Sequence, residues 1–161
     1  MNRWIKILLS LSVALLCLFY GLQNLANLDQ ALGAVAYVIG NVDHAVYPET
    51  FGPTLTAPWA AKLGLAVILL GEFSAGLMAL KGSWDLFQTR HGDGDTFSAA
   101  KRWSVAACGV AMLTWFGLFH AIGGALFQQW QTQAGDQSLA GAAWYAGLIG
   151  IIALYISLTD D

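Results

Sequence analysis

Four long apolar segments constrain the fold of this chain more than any other feature of its sequence. A helix needs about 20 apolar residues to cross the hydrocarbon core of a bilayer. Residues 4–22, 59–80, 103–127 and 142–158 approach or meet that length. Of the 161 residues, 57% are apolar and only 11% are charged, whereas roughly a quarter of a soluble domain is charged. We therefore predict a single integral membrane domain over 1–161, an all-α bundle of four transmembrane helices.

The longest connection, 23–58, is expected to form a cap over the external end of this bundle. Apolar residues recur at helical spacing in its first half, which predicts an amphipathic helix at the membrane surface or folded back over the bundle. They are Leu25, Leu28, Leu32, Val35, Ala36 and Ile39. Its second half, 40–53, is rich in turn-forming residues and predicts an ordered loop. We expect Trp59, Phe127 and Trp130 to anchor the cap at the interface.

Two shorter connections join the remaining spans. Residues 90–95 are predicted to form a mobile polar loop, after which Thr96 or Asp95 caps the next helix. Residues 128–141 are predicted to form a second external loop.

The distribution of basic residues predicts the orientation of the chain. Six of the seven Lys and Arg residues lie just before or at the start of the first span, or between the second and third spans. Connections 23–58 and 128–141 carry no Lys or Arg, and Lys62 lies just inside the second span. By the positive-inside rule, both termini are cytoplasmic and these connections are external, or periplasmic in a bacterial inner membrane. A net charge of −3 provides no basic excess for binding nucleic acid.

Glu72 is the strongest candidate for a functional residue. It falls near the middle of the segment 59–80, where a carboxylate is costly unless it is paired or protonated. It must therefore face the bundle or a partner protein. One interpretation is a proton-relay or ligand-binding carboxyl. The other is a neutral acid bonded to a neighbouring helix, with Ser74, Thr114 or His120 as its partner.

His120 is the second intramembrane polar residue, and it lies in the outer half of the third span between Gly117 and Gly124. It is a candidate for binding a haem or a quinone, and equally for a hydrogen-bonded histidine at a helix interface. A haem held by two histidines needs a second imidazole at matching depth. His44 and His91 both lie in connections, so either a folded-in His44 or a partner protein would have to supply it.

Small residues on the later spans predict close helix packing, with Gly71, Gly117 and Gly124 as the main examples. No phosphate-binding loop, Cys-x-x-Cys or nucleophile elbow occurs. The polar residues of the external connections match no established metal motif; they are Asp43, His44, Glu49 and Asp136. We therefore expect no enzymatic activity, no cofactor and no bound metal.

Several stretches resemble a bacterial family of predicted small integral membrane proteins, domain of unknown function 2165. The most specific is 122–132, IGGALFQQWQT, and the others are 97–103 (FSAAKRW), 113–119 (LTWFGLF), 57–59 (APW) and 41–48. The resemblance extends over nearly the whole chain. It implies one helical domain with four spans.

The resemblance also bears on individual residues. Glu72 falls at the family's acidic position in the second span, which implies a role beyond packing. An acidic residue of the family pattern falls at Ala125 here, and a histidine falls at Val38. An activity that needs those two polar positions would be missing from this chain.

Taken together, the sequence favours a non-enzymatic accessory or structural subunit of a larger bacterial inner-membrane complex, respiratory or photosynthetic. Its partners would be membrane lipid and other integral membrane subunits, and no nucleic acid. Two alternatives stay open. The first is a small proton-coupled carrier or conducting element that uses Glu72. The second is a haem- or quinone-binding anchor beside His120.

Overall fold

The computed structural model describes residues 2–47 and 49–159. Within them, 82% of the chain is helical and no strand occurs. The elements are α1 (Asn2–Ala26), α2 (Leu28–Ile39), α3 (Pro58–Gln88), α4 (Gly94–Ala100), α5 (Arg102–Met112), a π-helical segment (Leu113–Leu126), a 3₁₀ turn (Gln129–Gln131) and α6 (Gln133–Ser157). Four units are long and apolar enough to cross a membrane: α1, α3, the unit Gly94–Leu126 and α6. The predicted four-span helical fold is confirmed.

The prediction that 128–141 forms a loop is wrong for its second half, because α6 begins at Gln133 rather than at residue 142. Thr132 caps this helix by accepting a hydrogen bond from the Gly135 backbone N–H at 3.1 Å. Buried Leu139 faces Gly124 of the neighbouring span. The polar residues in the first turns of α6 lower the local hydropathy, so hydropathy alone did not predict this part of the helix. Its N-cap and its packing stabilise it.

A seam of small residues joins α1 to α3. The Ser10 hydroxyl donates to the Ala79 carbonyl at 3.0 Å, and the Ser83 hydroxyl donates to the Ile7 carbonyl at 3.1 Å. Residue numbers rise along α1 as they fall along α3, so the two helices are antiparallel. Ala14 and Ala75 are fully buried here, which allows the backbones to approach closely.

The predicted amphipathic helix is present as α2, and it lies against the bundle. The chain breaks at Asn27 (φ −122°, ψ 47°), between the end of α1 and the start of α2. Beyond that break α2 packs along α3, where Val35 lies over Gly64. No residue of α2 is fully buried. One side of α2 therefore packs on α3, and the other side of α2 borders unfilled space.

Gln131 joins the cap to the 3₁₀ turn. Its side-chain oxygen accepts hydrogen bonds from the backbone N–H groups of Val46 and Tyr47, at 2.9 and 2.8 Å. The Tyr47 ring meets Trp130 edge to face at 5.2 Å between ring centroids. Trp59 is 65% exposed, and its role as an anchor at the interface stays a prediction. Pro48, in the same connection, lies outside the described residues.

At the opposite end of the bundle, the residue that caps the N-terminus of α4 differs from the two that the sequence suggested. Asp93, and neither Asp95 nor Thr96, caps the helix by accepting a hydrogen bond from the Thr96 N–H at 2.7 Å. Hydrogen bonding to the Thr96 side chain, together with this backbone bond, holds the pKa of Asp93 below its ordinary value. The preceding loop is tied to α1, because the Arg3 guanidinium donates to the carbonyls of Arg90 and Gly92 at 3.1 and 2.6 Å.

Candidate functional site

A cavity of about 560 Å³ lies in the half of the bundle nearer the cap. It is enclosed by the end of α1, α2, α3, the π-helical segment and α6. The cavity exists because α1 ends at Ala26 and the chain breaks at Asn27, so α2 follows α3 and does not fill the space beside α6. Its size is within the range of small-molecule sites in proteins.

Glu72 lies at the inner end of this cavity and is 2% exposed. It is the only charged residue among the described residues that line the cavity. Asn24 of α1 holds it, with the amide nitrogen donating to both carboxyl oxygens at 3.2 and 3.0 Å.

The three partners that the sequence suggested for Glu72 are wrong. The Ser74 hydroxyl donates to the Gly71 carbonyl at 3.2 Å, and the Thr114 hydroxyl donates to the Val110 carbonyl at 3.0 Å. Both hydroxyls thus bond their own helix backbone. Asn24 was missed because it follows the predicted first span, 4–22. The signal that could have found it is the unbroken helical pattern that carries α1 on to Ala26.

Three aromatic rings stand beside Glu72, each from a different helix. Tyr20 lies 6.0 Å from Trp115 and 5.1 Å from Tyr145, and Trp115 lies 5.6 Å from Tyr145, between ring centroids. The hydroxyls of Tyr20 and Tyr145 are hydrogen-bonded to each other. Because each ring touches the other two, the cluster gives the inner end of the cavity a rigid aromatic wall.

The π-helical segment supplies one further side of the wall. Its hydrogen bonds reach five residues back, as in the bond from the Phe127 N–H to the Ile122 carbonyl at 3.0 Å. Lining residues recur along it as Trp115, Phe119 and Gly123, and Phe127 directly follows it. Their spacing of four residues keeps side chains on the cavity side over several turns. π-helical stretches are frequent at functional sites.

The mouth of the cavity lies between α2 and α6. Gln137 and Ser138 of α6 and Ala34 of α2 line the cavity and are also exposed. None of these three residues is charged. Buried Phe127 lies at the outer end, next to Gln129, whose amide donates to the Gly135 carbonyl at 3.2 Å. The residues named at the entrance are therefore uncharged, and the one charged residue among the described lining residues lies deep inside.

His120 does not share this site. It is half-buried, it does not line the cavity, and its ring stacks on exposed Phe116 at 5.8 Å between centroids. Among the described residues, no three His, Cys, Asp or Glu side chains gather into a group that could hold a metal. In the cap, partial burial lowers the pKa of His44, against an opposing effect of Asp43.

The three glycines expected at helix contacts differ in their surroundings. A Cβ atom at Gly71 would collide with the Thr114 side chain, and one at Gly124 would lie 3.3 Å from Leu139. Gly117 has no atom within 4 Å of such a Cβ. Gly71 and Gly124 therefore allow neighbouring helices to approach, whereas a Cβ at Gly117 would meet open space among the described residues.

A family model described as predicted small integral membrane protein (DUF2165) matches residues 2–159. The chain belongs to this family. The match confirms the resemblance noted in the sequence and extends over nearly every residue. No curated protein and no solved structure matches the chain. In this DUF2165 protein, Val38, where the resemblance places a histidine, lines the same cavity as Glu72, whereas Ala125 is exposed and lies outside it.

Proposed function

We propose that this protein is a small proton-coupled carrier or conducting element in which Glu72 holds the proton. The observation that carries this proposal is the placement of Glu72, a buried carboxyl and the sole charged group lining the described cavity. Ionisable residues inside membrane proteins commonly mark the path of a proton or an ion. The geometry favours this role over the accessory-subunit hypothesis because it provides both a space and a charge.

The site can exchange a proton for a positively charged ligand at one carboxyl group. Glu72 can hold either a proton or one positive charge from a ligand. Asn24 donates to both carboxyl oxygens. It therefore stabilises the ionised carboxylate while neither a proton nor a ligand is bound to it. The described lining residues include no His, Lys, Arg or Cys that could act as a base or nucleophile beside it. We therefore propose binding and transfer without enzymatic chemistry.

The orientation we propose places the cavity in the outer half of a bacterial inner membrane, with both termini in the cytoplasm. Six of the seven basic residues lie at the end of the bundle opposite the cavity, and Lys62 lies at the other end. Lys6 and Lys101 both donate to the Leu158 carbonyl, and the Lys81 ammonium lies 5.7 Å from the centre of the Trp103 ring. Such a basic end belongs on the cytoplasmic side.

The experiment that tests the proposal is a proton-flux assay in liposomes with a pH-sensitive dye inside and a potassium diffusion potential as driving force. We expect the wild-type protein to carry protons and Glu72→Gln to lower the flux to that of protein-free liposomes. Glu49→Gln makes the same chemical change in the exposed cap and should leave the flux unchanged. A Glu72→Gln protein that carries protons like the wild type would contradict the proposal.

We also propose, as a second role, that the protein is an accessory subunit of a larger respiratory or photosynthetic membrane complex. Its support is a set of outward glycines on neighbouring elements. A Cβ at Gly109, Gly117 or Gly147 would meet no atom within 4 Å, so these backbones are open to a partner helix.

This second role predicts a stoichiometric partner in a gentle-detergent pull-down of the tagged native protein, identified by mass spectrometry. An absorption spectrum of the eluate would report any haem the assembly carries. Gly147→Leu should release the partner, while Gly33→Leu on α2, where a Cβ also meets nothing, should retain it. A chain that elutes alone would overturn this role and leave the carrier proposal untouched.

A further inference from the structure

We infer that the ligand of the cavity is an apolar organic monocation of the quaternary or tertiary onium class, with Glu72 as its counter-ion. This inference rests on the proposed exchange at Glu72 and adds the chemical class of the ligand. It follows from three properties of the cavity: the sign of its charge, the aromatic wall next to that charge, and the apolar character of the remaining surface.

The negative charge of Glu72 favours a positively charged ligand. Glu72 is the one charged residue that lines the described cavity, so an anion would meet repulsion and no compensating cation. Small divalent cations require six or more oxygen ligands. Besides the carboxyl group of Glu72, the inner end of the cavity offers three side-chain oxygens, those of Asn24, Tyr20 and Tyr145. A cation that does not depend on a shell of oxygen ligands suits this site better.

The aromatic wall favours a bulky cation with its charge shielded by carbon. Tyr20, Trp115 and Tyr145 surround the inner end of the cavity, and Phe119 continues this wall along the π-helical segment. Aromatic faces attract organic cations, and quaternary ammonium groups are bound in this way by aromatic cages. Apolar residues further out, including Val35 and Ile68, would cover the carbon substituents of such a ligand.

Binding then couples directly to the proton. When Glu72 carries a proton, a cation that enters pairs with the carboxylate and one proton leaves to solvent, so charge is conserved at the site. When the proton returns, the cation loses its counter-ion and leaves. One proton should therefore be exchanged for each cation bound.

The test compares two ions of the same shape and opposite charge, tetraphenylphosphonium and tetraphenylborate, by calorimetry on the purified full-length protein in detergent. We expect saturable binding of the phosphonium, release of one proton per ion in weakly buffered solution, and no saturable binding of the borate. Glu72→Gln should abolish phosphonium binding, whereas Glu49→Gln should bind like the wild type.

A second variant keeps the test meaningful if Glu72→Gln is unstable. Phe119→Leu removes one aromatic face of the partly buried wall and should weaken phosphonium binding by about 2- to 30-fold. Equal binding of the two ions, or unchanged phosphonium binding by both variants, would overturn the inference. No phosphonium binding with intact Glu72-dependent proton flux would overturn the ligand class alone. Phosphonium binding without proton flux, even when a gradient of a quaternary ammonium ion is imposed across the liposomes, would support the ligand class and overturn the carrier role.

Discussion

Replacing Asn24 by leucine is expected to lower the free energy of unfolding by about 1–3 kcal/mol. The reason is that Glu72 would keep its buried position and lose both hydrogen bonds that Asn24 donates at 3.2 and 3.0 Å. A buried acceptor without a donor costs more than the hydrogen bond contributed, because its desolvation is no longer offset. Equilibrium unfolding in mixed micelles of mild and denaturing detergent measures the change.

A double-mutant cycle separates this effect from a simple loss of packing. Asn24→Leu combined with Glu72→Leu should recover most of the lost stability, since replacing both partners by apolar groups is often nearly neutral. Asn27→Leu is the matched control. Asn27 is exposed at the break between α1 and α2, and its side-chain amide donates to the Gln23 carbonyl one helical turn earlier. Strictly additive effects of Asn24→Leu and Glu72→Leu would show that the two side chains are not coupled.

Gly82→Ala is expected to destabilise the protein by about 1–3 kcal/mol, as overpacking of a tight core does. A Cβ at Gly82 would lie 2.5 Å from the Ser104 backbone nitrogen and 2.9 Å from the Ser104 Cα. These are backbone atoms, so they move only if α3 and α5 separate. Separation would also disturb the buried hydrogen bond between the hydroxyls of Ser104 and Ser10, which are 2.8 Å apart.

The measurement for Gly82→Ala is the midpoint of thermal denaturation in detergent, followed by the loss of the monodisperse chromatographic peak. Gly109→Ala is the matched control on α5, because a Cβ there meets nothing within 4 Å. We expect a clear drop of the midpoint for the first variant and no drop for the second. Equal midpoints would mean that α3 and α5 are further apart than the structure places them.

The number of spans and the depth of Glu72 were predictable because both follow from the bilayer. A hydrocarbon core requires long apolar helices, and four such helices are present. Glu72 falls well inside α3 whatever the neighbouring helices do. The helical character of α2 was also readable, since apolar residues at helical spacing mark it in the linear order of the chain.

The ends of the helices were harder to predict, since hydropathy reports on the membrane and not on capping or side-chain contacts. The polar start of α6 has low hydropathy, yet Thr132 caps it and Leu139 packs there against Gly124. In the same way, α1 extends past the apolar segment 4–22 and carries Asn24 to Glu72.

The cavity itself was decided by the tertiary structure. Its walls come from elements spread along the chain from α1 to α6. It opens because α2 follows α3 after the break at Asn27 while α6 packs on the π-helical segment. No local pattern encodes such a space, since it is the volume that packed helices leave unfilled. Local composition required that Glu72 be shielded from lipid; the packing of distant helices determined that Asn24 and an aromatic wall shield it, beside an open cavity.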